Sequence, residues 1–112
     1  MSVHLNFKKM ENLSNKRWKE LITEIDEHVV LDVRTPEECD EGIIAEAVQI
    51  NFLAGHDFVS ALEGLDKEKT YFVYCRSGSR SAQACNYMTM KGFKTYNLMN
   101  GIIGWDGEVV SS

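Results

Sequence analysis

Two short runs of β-branched and aromatic residues place the strongest limits on how this chain can fold. Residues 29–33 read Val-Val-Leu-Asp-Val, and residues 70–74 read Thr-Tyr-Phe-Val-Tyr. Short, nearly continuous apolar runs suit strands that are buried on both faces, as in parallel sheets. Parallel strands need long crossover connections, which are usually helices. The two runs therefore predict a parallel sheet covered by helices.

Helix signals occur on either side of these runs. Ser14 can cap a helix in which four apolar residues follow at helical spacing, namely Trp18, Leu21, Ile22 and Ile25. Thr35, Pro36 and Glu38 match the start of a second, short helix, with a capping hydroxyl, a proline and a glutamate in the favoured positions. Weaker patterns predict helices over 57–62 and 81–91, the latter ended by Gly92, and strands over 47–51 and 95–98. This alternation predicts an α/β domain of three layers, a mostly parallel central sheet with helices on both faces.

The size of the chain favours one domain. Its 112 residues are too few for two ordinary domains, and 44% hydrophobic residues suffice for one core. No linker-like or repetitive segment marks an internal boundary. We therefore expect a single domain over residues 1–112, with its core at roughly 10–106.

Charge and cysteine content limit the partners and the compartment. Twelve Lys and Arg against seventeen Asp and Glu give a net charge of −5, which disfavours nucleic acid as a partner. Three cysteines do not make the even framework of a small secreted scaffold. Residues 1–9 contain no apolar stretch of signal-peptide length, and no run approaches the roughly 18 residues of a membrane span. These features predict a cytoplasmic protein without a membrane partner.

The segment Cys-Arg-Ser-Gly-Ser-Arg at residues 75–80, called the Cys75 loop below, has the composition of an anion site. It follows the strongest strand and precedes a predicted helix, at the sheet edge where α/β proteins bind ligands. Gly78 allows successive N–H groups to turn inward, and the helix start adds unpaired N–H groups and a positive dipole end. The loop therefore predicts a concave site for a negatively charged group.

Cys75 is the candidate nucleophile of this loop. Helix N-termini and nearby arginines lower a cysteine pKa, so we expect Cys75 to be mostly thiolate at pH 7. Arg76 and Arg80 add bidentate donors suited to an oxyanion. The alternative is a solvated Ser/Gly/Arg turn with an incidental buried cysteine.

Four stretches in order resemble the single-domain rhodaneses, sulfurtransferases of the thiosulfate type. They are Leu-Asp-Val-Arg-Thr-Pro-Glu-Glu at 31–38, Gly-Ile-Ile-Ala-Glu-Ala-Val-Gln-Ile at 42–50, Cys-Arg-Ser-Gly-Ser-Arg-Ser at 75–81 and Asn-Gly-Ile-Ile-Gly-Trp at 100–105. The resemblance covers roughly residues 29–105. It implies the rhodanese-like fold and catalysis without a metal or an organic cofactor.

The resemblance also implies a mechanism. Cys75 would attack the outer sulfur of thiosulfate, release sulfite and pass the sulfur, held as a persulfide, to an acceptor such as cyanide or a thiol. The partners implied are a small anionic sulfur donor and a thiol or protein acceptor, with the protein acting as a monomer. The residues expected to bind the donor are Arg76, Ser77, Gly78, Ser79 and Arg80. Asp32, Arg34 and Ser81 are the supporting residues, and we expect Asp32 and Arg34 to pin neighbouring loops.

The chain departs from the family pattern in one stretch. Relatives commonly have Gly-His-Ile-Pro-Gly-Ala where this chain has Gly-Ile-Ile-Ala-Glu-Ala at 42–47, so Ile43, Ala45 and Glu46 replace His, Pro and Gly. The stretch lies away from the nucleophile. We expect altered packing or rim shape without loss of the chemistry.

Two other functions compete with sulfur transfer. Phosphatases of the cell-cycle dual-specificity type share the fold and also place a Cys and an Arg around an anion. Arsenate reduction is considered together with them. Those phosphatases place five residues between the equivalent Cys and Arg, whereas four separate Cys75 from Arg80. The other alternative is a non-enzymatic persulfide carrier or docking module.

The remaining special residues have structural explanations. Cys85 is expected to be a core thiol, and acidic neighbours of Cys39 are expected to raise its pKa and make it inert. No metal-ligand spacing relates the three histidines, His4, His28 and His56. The core is the expected place of three methionines, Met88, Met90 and Met99.

Overall fold

A computed structural model describes residues 10–112 of the chain. The strands are β1 Glu11–Leu13, β2 His28–Asp32, β3 Ile43–Ile44, β4 Val48–Gln49, β5 Thr70–Tyr74, β6 Lys94–Leu98 and β7 Val109–Val110. The helices are α1 Asn15–Glu24, α2 Pro36–Cys39, α3 His56–Glu63 and α4 Ser79–Met90, with single 3-10 turns over Phe52–Ala54 and Ile102–Gly104. The N-terminal segment considered above for a signal peptide, which includes His4, lies outside the described residues.

The central sheet has five strands in the order β1-β6-β5-β2-β4, and every neighbouring pair is parallel. The register places Val30 of β2 opposite Phe72 of β5, and Phe72 opposite Tyr96 of β6. A separate antiparallel pair joins β3 to β7. The prediction of a mostly parallel central sheet is confirmed.

Helices cover both faces of this sheet. On one face α3 and α4 bury Phe58, Leu62 and Met88 against Val73. On the other face α1 buries Trp18, whose ring packs edge-on against Phe72 and other aromatic rings of that side. The domain therefore has the three layers that the sequence predicts.

Local capping signals act as expected. The Ser14 hydroxyl accepts the Arg17 N–H at 3.1 Å at the start of α1. At the start of α2, Thr35 and Glu38 form a reciprocal capping box. Both helices are therefore specified by residues close to them in sequence.

One predicted strand is shorter than expected, and three strands of the structure were not predicted. The strand predicted over 47–51 is only Val48–Gln49, which pairs with Leu31 and Asp32 of β2. Three strands were not predicted, β1, β3 and β7, since each has two or three residues and depends on a distant partner.

The assignment of all three methionines to the core is wrong. Met88 is buried, but Met90 and Met99 are 82% and 49% exposed.

The stretch that departs from the family pattern has one unusual backbone conformation. Glu46 has φ of 69°, the single positive value for a non-glycine residue within residues 10–112. This is the position where relatives commonly have glycine, which takes such angles without steric cost. The replacement therefore leaves a strained residue in the turn between β3 and β4.

None of the helices within residues 10–112 is both long enough and apolar enough to cross a bilayer.

Candidate functional site

The candidate site forms where β2 and β5 end side by side. The register pairs Asp32 with Tyr74, so the segments that leave these strands start next to each other. The Val33 N–H donates to the Tyr74 carbonyl at 3.0 Å, and the Phe52 N–H donates to the Val33 carbonyl at 3.0 Å. Three chain segments therefore meet at the carboxyl edge of the sheet, as expected for a ligand site in a parallel α/β fold.

The sulfur of Cys75 lies inside the turn made by the Cys75 loop. Its Sγ accepts the Gly78 N–H at 3.1 Å and the Ser81 hydroxyl at 3.3 Å. The residue is only 1% exposed. Donors converging on one sulfur in a largely enclosed position stabilise its anionic form, because such hydrogen bonds are stronger to a charged acceptor.

These contacts decide the acidity of Cys75. Burial acts to raise the pKa of its thiol, but the Ser81 hydroxyl and the N–H groups of Ser81, Gly78 and Ser77 outweigh burial, so the pKa lies below its ordinary value. The direction agrees with the sequence expectation. The cause differs in part, because hydrogen bonds from the loop and the first turn of α4 make the largest favourable contributions, and neither arginine is among them.

Gly78 shapes this turn. Its φ is 99°, and a Cβ atom added there would collide with the Met99 carbonyl oxygen. The side-chain amide of Asn97 donates to the Gly78 carbonyl at 3.2 Å and to the Asn12 side chain at 2.8 Å. Asn97 thus supports the loop from β6, a role that no sequence pattern predicts.

The outer side of the Cys75 loop is bonded to the 3-10 turn near the chain end. The Ile102 N–H donates to the Cys75 carbonyl at 2.9 Å, and the Ile103 N–H donates to the Arg76 carbonyl at 3.0 Å. With both carbonyls engaged on this side, the N–H groups that follow are free to point toward the sulfur. The loop conformation therefore depends on residues about 27 positions downstream as well as on its own glycine.

The two arginines of the loop have different surroundings. Arg76 is exposed, and no carboxylate within residues 10–112 forms an ion pair with it. Arg80 is partly buried and makes a bidentate pair with Glu38, with N–O distances of 2.7 and 2.8 Å. The sequence predicts that both guanidinium groups bind the donor. In the structure Arg80 is directed to Glu38, whose only sequence signal was its capping position in α2.

Asp32 and Arg34 form a buried ion pair beneath the site. The Arg34 guanidinium contacts Asp32 Oδ2 at 2.7 Å, and the two side chains are 5% and 0% exposed. Arg34 also donates to the Gly42 carbonyl at 2.7 Å and to the Glu38 carbonyl at 3.3 Å. Neither side chain hydrogen-bonds to Cys75 within the described part of the chain. Their contacts join β2 to α2 and to the turn before β3.

The serines expected to bind the donor differ in exposure. Ser77 and Ser79 are exposed, whereas Ser81 is buried against the sulfur. The Cys75 loop and the first turn of α4 therefore bring together all the predicted loop residues, with Arg80 alone turned toward another partner.

The other two cysteines lie in apolar or acidic surroundings. Burial, followed by the proximity of Asp32, raises the pKa of Cys39 to about 11. Burial raises the pKa of Cys85, a fully enclosed residue of α4, to about 12. Both thiols are therefore protonated at neutral pH, in contrast to the direction found for Cys75.

Comparison with known protein families identifies the family of this chain. The model of the rhodanese-like domain matches residues 14–108. Two similar relatives are "Putative sulfurtransferase YtwF" of Bacillus subtilis (strain 168) and "Sulfurtransferase" of Allochromatium vinosum. The first is 40% identical over 88% of this chain and 93% of its own length, and the second is 30% identical over 86% and 88%.

Solved structures agree with this family match. A rhodanese-related protein from Thermoplasma volcanium has a TM-score of 0.78 at 28% identity, covering 89% of this chain and 97% of its own. A rhodanese-like domain protein from Staphylococcus aureus has a TM-score of 0.79 at 26% identity, covering 92% and 99%.

Proposed function

This chain belongs to the rhodanese-like family, and on that premise we propose that it is a sulfurtransferase in which Cys75 carries the transferred sulfur as a persulfide. The observation that carries the proposal is the pair of hydrogen bonds from Gly78 and Ser81 to the Cys75 sulfur. The names of two relatives, both sulfurtransferases, point to the same class of reaction.

The first half-reaction loads the sulfur. The Cys75 thiolate attacks the outer sulfur of thiosulfate, the S–S bond of the donor breaks, and sulfite leaves with the bonding electron pair. Cys75 is left with an S–S bond and a terminal sulfur anion, so the total charge of −3 is the same on both sides. An alkyl persulfide is a second donor of the same kind, with a thiol as its leaving group. Nucleophilic catalysis of this type splits one transfer into two easier steps.

The second half-reaction unloads the sulfur. A nucleophile such as cyanide or a thiolate attacks the terminal sulfur, the Cys75 S–S bond breaks, and Cys75 returns to the thiolate. The same N–H and O–H donors that favour the resting thiolate favour it as a leaving group, because they bind negative charge at Sγ. The loop therefore assists both halves of the cycle.

Other groups of the loop assist binding of the donor. Arg76 is exposed beside the sulfur-bearing residue and is available to an anionic donor. The Ser77 backbone N–H is directed to the sulfur, and Ser79 begins α4, whose dipole end adds positive potential. Asp32 and Arg34 support the adjoining segments and have no direct part in the transfer. The proposed partners are a small anionic sulfur donor and a thiol or protein acceptor.

Intact-mass spectrometry after exposure to a sulfur donor tests this proposal. We expect the wild-type protein to gain the mass of one sulfur atom from thiosulfate or from an alkyl persulfide, and to lose it on addition of cyanide. Cys75→Ser should gain nothing, whereas Cys39→Ser, which alters a buried thiol outside the loop, should behave as wild type. A wild-type protein that takes sulfur from neither donor would overturn the proposal. So would turnover of an aryl phosphate at a rate comparable to sulfur transfer.

A further inference from the structure

The bidentate pair between Arg80 and Glu38 bears on which donor the site prefers. We propose that Glu38 is a specificity-determining residue: by holding Arg80, it makes the site favour sulfur donors of low negative charge, such as alkyl persulfides, over dianions such as thiosulfate. The inference rests on the proposed sulfur transfer and names the donor class for it.

The geometry of the pair fixes the direction of the Arg80 guanidinium. Arg80 Nη1 lies 2.7 Å from Glu38 Oε1, and Nη2 lies 2.8 Å from Oε2, so the end of the guanidinium that carries both Nη atoms is used by one carboxylate. Such fork-to-fork pairs combine strength with a set orientation. The two side chains are 22% and 25% exposed, which limits screening by water. An anion in the loop therefore has to compete with Glu38 for Arg80.

Glu38 itself is held in place by the start of α2. Its Oε1 accepts the N–H and the hydroxyl of Thr35, each at 3.1 Å, in addition to Arg80. The pKa of the Glu38 carboxyl lies at about 2, chiefly because of the hydrogen bond from Arg80. The carboxylate is consequently ionised throughout the physiological range. Arg80 therefore has a negatively charged partner at every physiological pH.

The guanidinium groups of the site differ in whether a carboxylate neutralises them. Arg34 is paired with Asp32 and Arg80 with Glu38, so Arg76 is the unpaired guanidinium of the site within residues 10–112. A Cys75 thiolate adds one negative charge of its own to this loop. A dianion then adds two further negative charges where an alkyl persulfide adds at most one. Each added charge near others of the same sign weakens binding, and the effect is larger in a partly enclosed site than in water.

The reaction with an alkyl persulfide balances without an additional reactant. The Cys75 thiolate attacks the terminal sulfur of R–S–SH, the S–S bond of the donor breaks, and R–S⁻ leaves with the electron pair. Cys75 then holds S–SH, and the total charge is −1 before and after. The leaving thiolate takes up the proton of the new persulfide or one from water. The site therefore needs no second guanidinium to neutralise a leaving group with two charges.

The test compares Glu38→Gln with a matched control, Glu37→Gln. Both variants remove one negative charge from α2, but Glu37 is exposed and forms no ion pair with Arg80. A glutamine at position 38 can still accept the Thr35 N–H, so the cap of α2 is preserved. The measurement is kcat/KM for thiosulfate and for 2-hydroxyethyl persulfide, whose remaining groups are uncharged, with cyanide as the common acceptor, expressed as the ratio of the two donors.

We expect the wild type to favour the persulfide, and Glu38→Gln to raise the thiosulfate-to-persulfide ratio about tenfold, the change that about 1.4 kcal/mol produces. Glu37→Gln should leave the ratio unchanged. If Glu38→Gln does not fold, Glu38→Asp, which keeps the charge but withdraws the carboxylate from Arg80, should move the ratio in the same direction by a smaller factor.

An unchanged ratio in folded Glu38→Gln, or an equal rise in Glu37→Gln, overturns this inference and leaves the proposed function standing. Failure of the proposed function has a different signature, since wild-type Cys75 would then gain sulfur from neither donor in the mass measurement.

Discussion

The hydroxyl of Ser81, in the first turn of α4, donates to the Sγ of Cys75 at 3.3 Å across the Cys75 loop. Ser81 is fully buried, so its hydroxyl has no water to compete for the bond. The sulfur thus receives donors from the loop backbone on one side and from the helix on the other. This arrangement couples the acidity of Cys75 to a residue six positions away in sequence.

Ser81→Ala is expected to make Cys75 less acidic. A hydrogen bond to a charged acceptor contributes about 1.5–3 kcal/mol, so its loss should raise the Cys75 pKa and slow alkylation at neutral pH. The rate of alkylation by iodoacetamide as a function of pH measures this pKa. Ser79→Ala is the control, because Ser79 is exposed and its side chain does not bond to the sulfur. Equal profiles for wild type and Ser81→Ala would contradict the assigned role.

Acid should weaken the fold through Glu38. The pKa of this carboxyl falls from its ordinary value of 4.5 to about 2 in the folded protein, chiefly through the hydrogen bond from Arg80. A group with a depressed folded-state pKa contributes its full stability above the unfolded value and loses it as the pH falls through the folded value. The stability difference between wild type and Glu38→Gln should therefore be about 1–3 kcal/mol at pH 7 and vanish near pH 2.

Urea unfolding at several pH values checks this expectation. Glu37→Gln again serves as the matched variant, because it removes the same charge from α2 without touching Arg80. A stability difference between wild type and Glu38→Gln that stayed constant from pH 7 down to pH 2 would show that the contribution of Glu38 does not depend on its ionisation.

Removal of Asp32 should be among the most damaging changes to stability. Asp32→Ala leaves the buried Arg34 guanidinium without its counter-ion, and breaking a buried pair in this way costs about 3–5 kcal/mol. The exposed pair of Arg17 and Glu20 offers a contrast, since Glu20→Ala should cost less than about 1 kcal/mol. Denaturant unfolding curves give both values. Similar losses for the two variants would mean that burial of Asp32 does not decide its contribution.

Glu46→Gly is expected to stabilise the protein. Glu46 occupies a left-handed conformation with φ of 69°, which costs a residue with a Cβ about 1 kcal/mol that glycine does not pay. The substitution should therefore raise the free energy of unfolding by about 1 kcal/mol, less the backbone entropy that glycine loses on folding. Thermal unfolding measures this change. Glu41→Gly, at a position without positive φ, should give no gain of stability in the same experiment. A loss of stability in Glu46→Gly would show that the turn is not strained.

Much of the fold follows from local signals in the sequence. The strand over residues 70–74 lies where the apolar run predicts it, and the helix starts at Ser14 and Thr35 lie where their caps predict them. The elements that the sequence did not reveal are short and depend on tertiary pairing. Strand β1 carries a Glu and an Asn and exists because it adds to the edge of β6. No local pattern distinguishes such a segment from a loop.

The candidate site divides along the same line. The residues of the Cys75 loop were predicted, because composition and position between a strand and a helix are visible locally. The partner of Arg80 was not, since Glu38 lies 42 positions earlier and a capping role already explained its presence. Asn97 was missed for a similar reason, as its contact with Gly78 spans 19 positions. Long-range polar contacts of this kind leave little trace in a single sequence.

The hydrogen bonds from Ile102 and Ile103 to the carbonyls of Cys75 and Arg76 restrict how this protein can evolve. An inserted residue between Cys75 and Arg80 would have to bulge away from two attachment points at its start and from Glu38 at its end. A change in the length of this loop would therefore disturb contacts whose residues are encoded in three separate parts of the gene.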